Sequence, residues 1–386
     1  MNPDFFTPID DSLAAHLVSQ SSTCLGKKIQ IHSHKEGFPD LENVQIAIFG
    51  VNEDRNSQDN FGCGEDLFIV REKFYQLFPG KWHTNIADLG TIEKGNQVSD
   101  TYFAVKEMIT FLLKNNIIPI IIGGGQDITY VNYRAYDALE QSVNITAVDS
   151  RFDLGNLEEE LTSQSYLSKI IMQEPNNLFN YCNVGYQTYF NSQEEISLLD
   201  NLFFDTYRLG EAKILENIEP VFRNSDIVSI DIGAVRQSEA PGNNNSSPNG
   251  FYGEEICAIS RYAGLSDKVS SFGIYEYNFK HDNNNQTAHL IAQMIWYFIE
   301  GVNFRVKDYP FSGKENYQKF TVLLEEDEPL LFYKSNKSGR WWIEINILSN
   351  NKYKRHALIP CTYKDYKDAT KQLIPEKWYK AMRKMV

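Results

Sequence analysis

The feature that most constrains the fold is a series of short segments, most of them rich in apolar residues, that alternate with longer amphipathic stretches between residues 44 and 303. The apolar segments have the length of strands and lie at Val44–Gly50, Thr84–Leu89, Ile117–Ile122, Asn144–Asp149, Phe179–Gly185, Ile227–Ile232 and Val269–Ile274. Stretches with helical periodicity lie between or after them, at Glu65–Leu77, Asp100–Asn115, Thr129–Glu140, Ser192–Leu199, Tyr252–Ala263 and Gln286–Glu300. Strands that are apolar on both sides belong to parallel sheets covered on both faces. The sequence therefore predicts a three-layer α/β/α fold with a central, mostly parallel sheet.

Residues 304–386 break this alternation and differ in charge. Strands are predicted at Phe320–Leu324, Leu330–Lys334 and Trp341–Ile345, a turn at Asn336–Gly339 and a short helix at Tyr363–Gln372. This segment has 17 Lys and Arg against 10 Asp and Glu, a net charge of +7, whereas the whole chain carries −14. We predict an α/β domain at 1–303, with its core at about 40–303, and a basic β-rich C-terminal extension at 304–386. The basic residues either dock on the acidic body or a neighbouring subunit, or form a solvated face.

Several classes of protein are disfavoured by composition. An acidic body argues against nucleic acid as the main partner. No apolar run is long enough to span a membrane, and the N-terminus resembles no secretion signal, so we expect a cytoplasmic protein. The five cysteines are scattered and form no CxxC pair, which indicates reduced thiols rather than a disulfide framework or a zinc ribbon.

Polar side chains follow the predicted strands at the positions where α/β proteins bind ligands, outside the carboxyl ends of the strands. In chain order they are Gln126, Asp149, Arg151, Asp153, Asp231 and Glu276. Gly233, two residues after Asp231, lies at the same strand end and has no side chain. Asp149, Arg151 and Asp153 alternate, so they share one face if the chain stays extended. Taken singly, a strand-end aspartate is more often a helix cap or a loop acceptor than a ligand.

The order and spacing of four motifs resemble the ureohydrolase superfamily, which includes arginase, agmatinase and formimidoylglutamase. The motifs are GGGQD at 123–127, DSRFD at 149–153, SIDIGAVRQSEAPG at 229–242 and YEYN at 275–278. The resemblance covers about residues 40–303, and GGG rather than GGD in the first motif is closest to the formimidoylglutamase-like branch. It implies the arginase-like fold, a homo-oligomer, and a substrate pocket that includes Glu276 and Asn278.

The resemblance also implies a site for two manganese ions with six protein ligands. Asp149, Asp153 and Asp231 match three of the family's ligand positions. Gln126 and Arg151 stand where the family has histidines, and Gly233 stands where it has an aspartate. Arginine has no acceptor atom and a permanent positive charge, so it cannot replace a histidine ligand. We expect the guanidinium of Arg151 to bridge Asp149 and Asp231 in place of a metal.

Two functions follow from this comparison. The first is a non-catalytic member of the superfamily, a pseudoenzyme that serves as a binding or structural protein, with a small molecule bearing an amidine or guanidinium group as its ligand. For it we expect no cofactor, or at most one weakly bound divalent cation (Mn, Mg or Ca). The alternative is a metal-assisted hydrolase of the C–N bond of linear amidines such as formimidoylglutamate. Metal analysis of the purified protein separates the two.

Overall fold

The computed structural model of the chain describes residues 2–139, 141–155, 160–310, 313–325, 328–345 and 357–385. Its helices are α1 (Asp11–Val18), α2 (Phe68–Gln76), α3 (Val98–Lys114), α4 (Ile128–Ala135), α5 (Tyr166–Met172), α6 (Gln193–Asn201), α7 (Leu209–Ala212), α8 (Leu215–Asn224), α9 (Gly253–Leu265), α10 (Gln286–Asn303), α11 (Tyr363–Ala369) and α12 (Glu376–Met385). Its strands are β1 (Phe6–Thr7), β2 (Gln30–Ile31), β3 (Ile46–Val51), β4 (Ile86–Ile92), β5 (Ile118–Ile122), β6 (Val143–Val148), β7 (Leu178–Tyr186), β8 (Asp205–Arg208), β9 (Ile227–Asp231), β10 (Ser271–Tyr275), β11 (Tyr317–Val322), β12 (Leu330–Ser335), β13 (Trp341–Glu344) and β14 (Leu358–Cys361). The predicted helix at Thr129–Glu140 reaches a last residue that lies outside the described ranges.

The strands up to β10 form one mixed sheet in the order β1-β4-β3-β5-β10-β9-β6-β7-β8, with β2 also pairing with β4. The β1–β4 pair is antiparallel, and the other printed pairs of this sheet are parallel. Every residue of β3, β5, β6 and β10 is buried. The predicted mostly parallel sheet is confirmed.

Helices cover both faces of this sheet, because alternate residues of a strand point to opposite sides. In β5, Ile120 and Ile122 join the apolar core on the side of α9 and α10, and Ile121 joins the core on the side of α3 and α4. Phe272 of β10 stacks on Phe298 of α10 with ring centroids 4.2 Å apart. These two cores make the three layers that the sequence predicted.

The central strands are aligned so that their carboxyl ends lie level. Ile274 of β10 pairs with Ile122 of β5 and with Ile230 of β9, and Ile230 pairs with Val148 of β6. Four neighbouring strands, β5, β10, β9 and β6, therefore end at one height. The four sequence motifs follow or end these strands, so the sheet brings them together at one edge.

The strands β11 to β14 form a separate antiparallel sheet, which α11 and α12 accompany. It rests on α8, where Arg223 donates hydrogen bonds to the carbonyl oxygens of Trp341 (3.0 Å) and Cys361 (2.9 Å). Arg340 lies 3.4 Å from Glu219 of α8, so part of the extension's positive charge contacts the acidic body. The boundary at residue 304 stays a prediction.

The tryptophan pair of β13 serves packing. Trp341 stacks on Tyr366 of α11 with ring centroids 4.9 Å apart, and the guanidinium of Arg223 lies 4.9 Å from the ring centroid of Trp342. Both tryptophans are buried, so an exposed platform for a ligand is not formed here.

Sequence patterns missed the elements that are short or polar. The strand β8 has the sequence DTYR, with only one large apolar side chain, and α8 contains Pro220. The pairs that β1 and β2 make with β4 depend on contacts far along the chain. Among the described helices, none is long and apolar enough to cross a bilayer.

Candidate functional site

The candidate site lies at the carboxyl ends of β5, β10, β9 and β6. The buried side chains of Gln126, Asp149, Asp153 and Glu276 meet there with the partly buried side chain of Asp231. The pKa of Asp231 is raised, first by burial and then by the nearby negative charges of Asp149 and Glu276. The structure thus brings the retained family positions into one acidic cluster, as expected from the order of the motifs.

The chain turns directly after Asp149 instead of remaining extended. The N–H of Arg151 donates a 2.9 Å hydrogen bond to Asp149 Oδ1, and Asp153 adopts a left-handed backbone conformation with φ of 53°. A short Asp side chain that accepts from the N–H two residues later is a common turn-forming contact. The chain therefore does not meet the condition, an extended backbone, under which alternation would place the three side chains on one face. The turn, and not the strand pleat, brings Asp149 and Asp153 together.

Burial and mutual repulsion make this cluster hard to ionise. Burial, with a further contribution from Asp153, raises the pKa of Asp149 well above its usual range. Burial also raises the pKa of Asp153 to about 8, with Asp231 and Glu276 adding to the rise and Asp149 and Arg151 opposing it. The shared cause of both shifts is that these carboxyl groups lie close together away from water. Negative charge in excess of positive charge is the main electrostatic property of this site.

Arg151 does not bridge the carboxylates, so that expectation was wrong. Its guanidinium carbon lies 4.4 Å from the ring centroid of Phe190, and within the described residues the guanidinium forms neither an ion pair nor a hydrogen bond. Its charge still acts at a distance, since it lowers the pKa values of Asp149 and Asp231. The turn after Asp149 and the aromatic ring together direct the side chain away from the carboxylates.

Gln126 is held on both sides by hydrogen bonds. Its N–H donates to Glu276 Oε1 at 2.9 Å, and its side-chain Nε2 donates to Ser229 Oγ at 2.9 Å. The remaining side-chain atom, Oε1, is buried and accepts no hydrogen bond in the described part of the chain. An amide oxygen in this state is an available ligand or acceptor.

Glu276 anchors a loop that the sequence analysis overlooked. Its two carboxylate oxygens accept hydrogen bonds from Ser57 (3.1 and 2.9 Å), from Asn60 Nδ2 (2.7 Å) and from the N–H of Gln126. Asn278 is also buried and donates to Asn60 Oδ1 (3.1 Å) and to the carbonyl of Phe61 (3.0 Å). Both predicted pocket residues therefore hold the loop between β3 and α2. Their contact with a substrate stays a prediction.

The sequence of the loop between β3 and α2 contains a pattern from which its place at the candidate site could have been predicted. The polar run NEDRNSQDN at 52–60 follows a buried strand directly, at the same edge of the sheet as the four motifs. Within it, Glu53 pairs with Arg55 at 2.5 Å, and Asp54 pairs with Lys94 at 2.5 Å. These pairs compensate the charges of Glu53 and Asp54, unlike the carboxylates of the acidic cluster that the loop borders.

Asp127, the last residue of the GGGQD motif, is a further buried acid beside the cluster. Tyr102 donates a hydrogen bond to its Oδ2, and its Oδ1 has no partner among the described residues. Burial raises the pKa of Asp127 to about 7, and the charge of Glu276 adds to the rise, while the bond from Tyr102 opposes it. Asp127 therefore changes protonation near neutral pH in the metal-free protein.

Gly233 leaves little room for the side chain that the family has there. Its N–H donates a 2.6 Å hydrogen bond to Asp231 Oδ1, and a Cβ added to Gly233 would lie 3.1 Å from that oxygen. The nearest other neighbour would be Asn243 Nδ2 at 3.4 Å. An aspartate at this position therefore needs a shift of a few tenths of an ångström, which the Asp231 side chain can supply by rotating.

The acidic cluster fits a divalent cation in its donor chemistry. Asp149 Oδ2 and Gln126 Oε1 are buried acceptors without a donor in the described structure, and carboxylate and amide oxygens suit Mn²⁺. Among the described residues, no three carboxylate, imidazole or thiolate side chains are already arranged around one point. Asp149, Asp153, Asp231 and the side-chain oxygen of Gln126 are the groups that would hold such an ion. Arg151 and Gly233 offer no ligating side chain.

Comparisons with known proteins agree on the family. The arginase family profile matches residues 44–300. The formimidoylglutamase of Staphylococcus haemolyticus is 25% identical over 289 residues, which cover 69% of this chain and 92% of the relative. A crystal structure of Trypanosoma cruzi formiminoglutamase with two Mn²⁺ ions has a TM-score of 0.64 at 17% identity and covers 73% of this chain and 99% of its own. Formimidoylglutamase from Bacillus subtilis also has a TM-score of 0.64, at 18% identity, and covers 73% of this chain and 93% of its own.

The comparison with the Trypanosoma cruzi enzyme corrects the expectation about cofactors. We expected no cofactor, or at most one weakly bound divalent cation, because three of the six ligand positions are substituted. A protein of the same fold holds two Mn²⁺ ions, which overturns that expectation. The substituted residues were too narrow a basis for it, because main-chain atoms, waters and substrate also ligate metals.

The identity of the family rests on several agreeing observations. The four sequence motifs follow or end the aligned strands β5, β10, β9 and β6 of a three-layer fold. They bring the acidic cluster together at the carboxyl ends of these strands. The family profile spans well over half of the 386 residues. The chain belongs to the arginase family.

Proposed function

We propose that this protein hydrolyses a C–N bond of a linear amidine, with formimidoylglutamate as the first substrate to test. The single observation that carries the proposal is the acidic cluster of the buried Asp149 and Asp153 with the partly buried Asp231, beside which two buried oxygens, of Asp149 and Gln126, accept no hydrogen bond from the described residues. Burying carboxylates that repel one another costs free energy unless a cation is bound there. The similarity to formimidoylglutamases supports an amidine as the substrate class.

We assign two roles to the residues of the site: some would hold a cation, and others order the pocket. Asp149, Asp153, Asp231 and the side-chain oxygen of Gln126 would hold Mn²⁺, which supplies activation of a water molecule for attack on the amidine carbon. Glu276 fixes Gln126 by accepting its N–H, and it orders the loop that carries Ser57 and Asn60. The negative charge of the cluster favours a cationic amidine over a neutral amide.

The test is a metal-dependent assay on the full chain. Protein dialysed against a chelator and then loaded with Mn²⁺ should convert formimidoylglutamate and water to glutamate and formamide. Asp231→Asn should abolish both turnover and most Mn²⁺ uptake, because it removes a charged ligand. Asp11→Asn, a matched change at an exposed position, should alter neither. Mn²⁺-loaded, folded protein without turnover on formimidoylglutamate, agmatine or arginine would refute the proposal.

A second candidate is a non-catalytic binding protein that uses the same pocket. The substitutions at Arg151 and Gly233 favour it, because neither offers a ligating side chain at a family ligand position. Saturable binding of an amidine or guanidinium compound by Mn²⁺-loaded protein, without any product, would support this candidate over the first. We also propose a cytoplasmic homo-oligomer, which size-exclusion chromatography with light scattering and localisation of a tagged chain would test.

A further inference from the structure

A small cavity lined by apolar, amide and basic side chains lies at the opposite edge of the main sheet, where the C-terminal extension meets it. The cavity is about 50 Å³ in volume and lies between α12 and the amino ends of β6, β7 and β8. Asn144, Asn180 and Asp205 line it from these three strands, and α12 contributes the opposite wall. The candidate active site lies at the carboxyl ends of the strands, so the two sites are separated by the length of β6, roughly 15 Å.

Positive charge dominates the lining of this cavity. Lys377, Lys380 and Lys384 lie on one face of α12, because residues spaced by three and four positions share a helix face, and Asp205 is the one acid in the lining. Lys377 also pairs with Asp365 at 3.0 Å outside the lining. Lys380 lies 3.1 Å from Glu376, 3.9 Å from Asp205 and 4.0 Å from Asp200, and it donates a 3.0 Å hydrogen bond to the carbonyl of Phe204.

Lys384 is the least compensated of the three lysines. It donates a hydrogen bond to Asn180 Oδ1, and Asn180 in turn donates to Asp205 Oδ2 at 3.1 Å. Burial lowers the pKa of Lys384 to about 8, Asp205 opposes this change, and the neighbouring charge of Lys380 adds to it. A buried ammonium group in this state is stabilised by an additional negative charge.

The cavity also contains acceptors that a simple anion cannot satisfy. The Oδ1 atoms of Asn144 and Asn224, both lining residues, are buried and have no hydrogen-bond partner among the described residues. Asn144 is 2% exposed, and its Nδ2 already donates to the carbonyl of Asn224 at 2.7 Å. A matching ligand must therefore bring negative oxygens for the lysines and a hydrogen-bond donor for an asparagine.

We propose that this cavity binds a phosphate group in its hydrogenphosphate form. Such a group has oxygens that accept from Lys380 and Lys384 and one P–OH that donates to Asn144 or Asn224. The volume is that of roughly three or four water-sized probes, which suits one small tetrahedral anion. Sulfate has the same shape but no donor at neutral pH, so the site distinguishes the two. The bound anion ties the extension to β6 and β7.

The experiment measures phosphate binding to the full chain after removal of metals, so that the acidic cluster cannot take up phosphate through a cation. Calorimetric titration with inorganic phosphate at pH 7.5 should give one site per chain and a higher melting temperature. Lys384→Met should weaken binding by tenfold or more, since a charge-assisted hydrogen bond to a buried anion is lost. Lys371→Met, an exposed lysine of the same extension, should leave binding unchanged.

Further variants test the role of the lysine charge, and a competing ligand tests which phosphate compound binds. Lys384→Arg keeps the charge and should retain most of the binding, and Lys380→Met gives an independent loss if Lys384→Met does not fold. Glycerol phosphate in competition identifies the source of the group: displacement shows a phosphate monoester, and its failure shows free phosphate. Absence of saturable phosphate binding, equal binding of sulfate, or binding unaffected by both lysine variants would overturn the proposal. Asp231→Asn should bind phosphate like the wild type.

Discussion

The N–H of Gln126 donates a 2.9 Å hydrogen bond to Glu276 Oε1, joining the loop after β5 to the end of β10. Glu276 has a left-handed backbone, with φ of 65°, which turns its side chain toward that loop. Ser57 and Asn60 donate to the same carboxylate, so three segments of the chain depend on one buried acid. The position of Gln126 in the acidic cluster is therefore set by a residue far along the sequence.

Glu276→Gln should lower the free energy of unfolding by about 1–3 kcal/mol. The substituted amide brings an NH₂ group against donors from Ser57, Asn60 or Gln126, so at least one buried donor loses its acceptor. Urea denaturation followed by circular dichroism measures the change. Glu254→Gln, the same substitution on an exposed residue of α9, should have an effect near zero. Equal stability of the Glu276→Gln variant and the wild type would show that this carboxylate does not hold the loop.

Arg151→Ala should destabilise the metal-free protein by only about 0.5–1 kcal/mol, the contribution of a partly exposed cation–π contact with Phe190. A larger loss would be expected if the guanidinium bridged Asp149 and Asp231. The same change should increase Mn²⁺ affinity, because it removes a positive charge near the carboxylates. Arg151→Lys, which keeps the positive charge, is the matched control and should bind Mn²⁺ as weakly as the wild type does. If denaturation showed that Arg151→Ala lowers the free energy of unfolding by several kcal/mol, the guanidinium would bridge Asp149 and Asp231 after all.

The triple change Gln126→His, Arg151→His and Gly233→Asp should tighten Mn²⁺ binding beyond that of the wild type. It adds two imidazole ligands and one carboxylate and removes a competing cation. Gly233→Asp alone should contribute less, because its side chain must displace the Asp231 oxygen that lies 3.1 Å from the new Cβ. Calorimetric titration with Mn²⁺ provides the comparison. A folded triple variant with unchanged affinity would show that these positions do not surround the metal.

The pH dependence of stability should reveal the lowered pKa of Lys384, a partly buried residue. Its pKa in the folded state is about 8 and its ordinary value is 10.5, so between these values the unfolded chain binds more protons. The free energy of unfolding of the wild type, relative to Lys384→Met, should therefore rise from pH 8 to 10.5, by at most about 1.4 kcal/mol per pH unit. Asp205, Lys380 and Cys182 are the titratable groups that act on it. A flat difference in phosphate-free buffer would contradict a buried, weakly compensated ammonium group.

Arg223→Met should lower the free energy of unfolding by about 2–4 kcal/mol, because two buried carbonyl groups, of Trp341 and Cys361, lose charge-assisted hydrogen bonds. Since these carbonyls belong to β13 and β14, the extension should become sensitive to proteolysis first. Arg261→Met, which removes a partly exposed pair with Glu300, should cost about 0–1 kcal/mol. Uniform resistance to protease in both variants would show that α8 does not secure the extension.

The sequence by itself determined the central sheet and the order of its motifs. The strand β5 reads IPIII because both of its faces are buried, and such continuous apolar runs specify a covered parallel strand without any knowledge of its partners. The acids Asp149 and Asp231 come at the ends of such runs, so their convergence followed from the alignment of neighbouring strands. The short, polar strand β8 and the Pro-containing helix α8 lacked this local signal, since tertiary contacts stabilise them.

Only the tertiary structure decided where the charged side chains of the site point and what they contact. Arg151 lies against Phe190 rather than against Asp149, although both acid and arginine belong to the same motif. The loop with Ser57 and Asn60 reaches Glu276 from more than 200 residues away, and α12 places Lys384 beside Asn180 across a similar distance. Burial leaves a periodic pattern in the sequence, because a residue's position along a strand decides to which face of the sheet its side chain points. Hydrogen-bond and ion-pair partners depend on rotamers and on packing between distant segments, which no local pattern records.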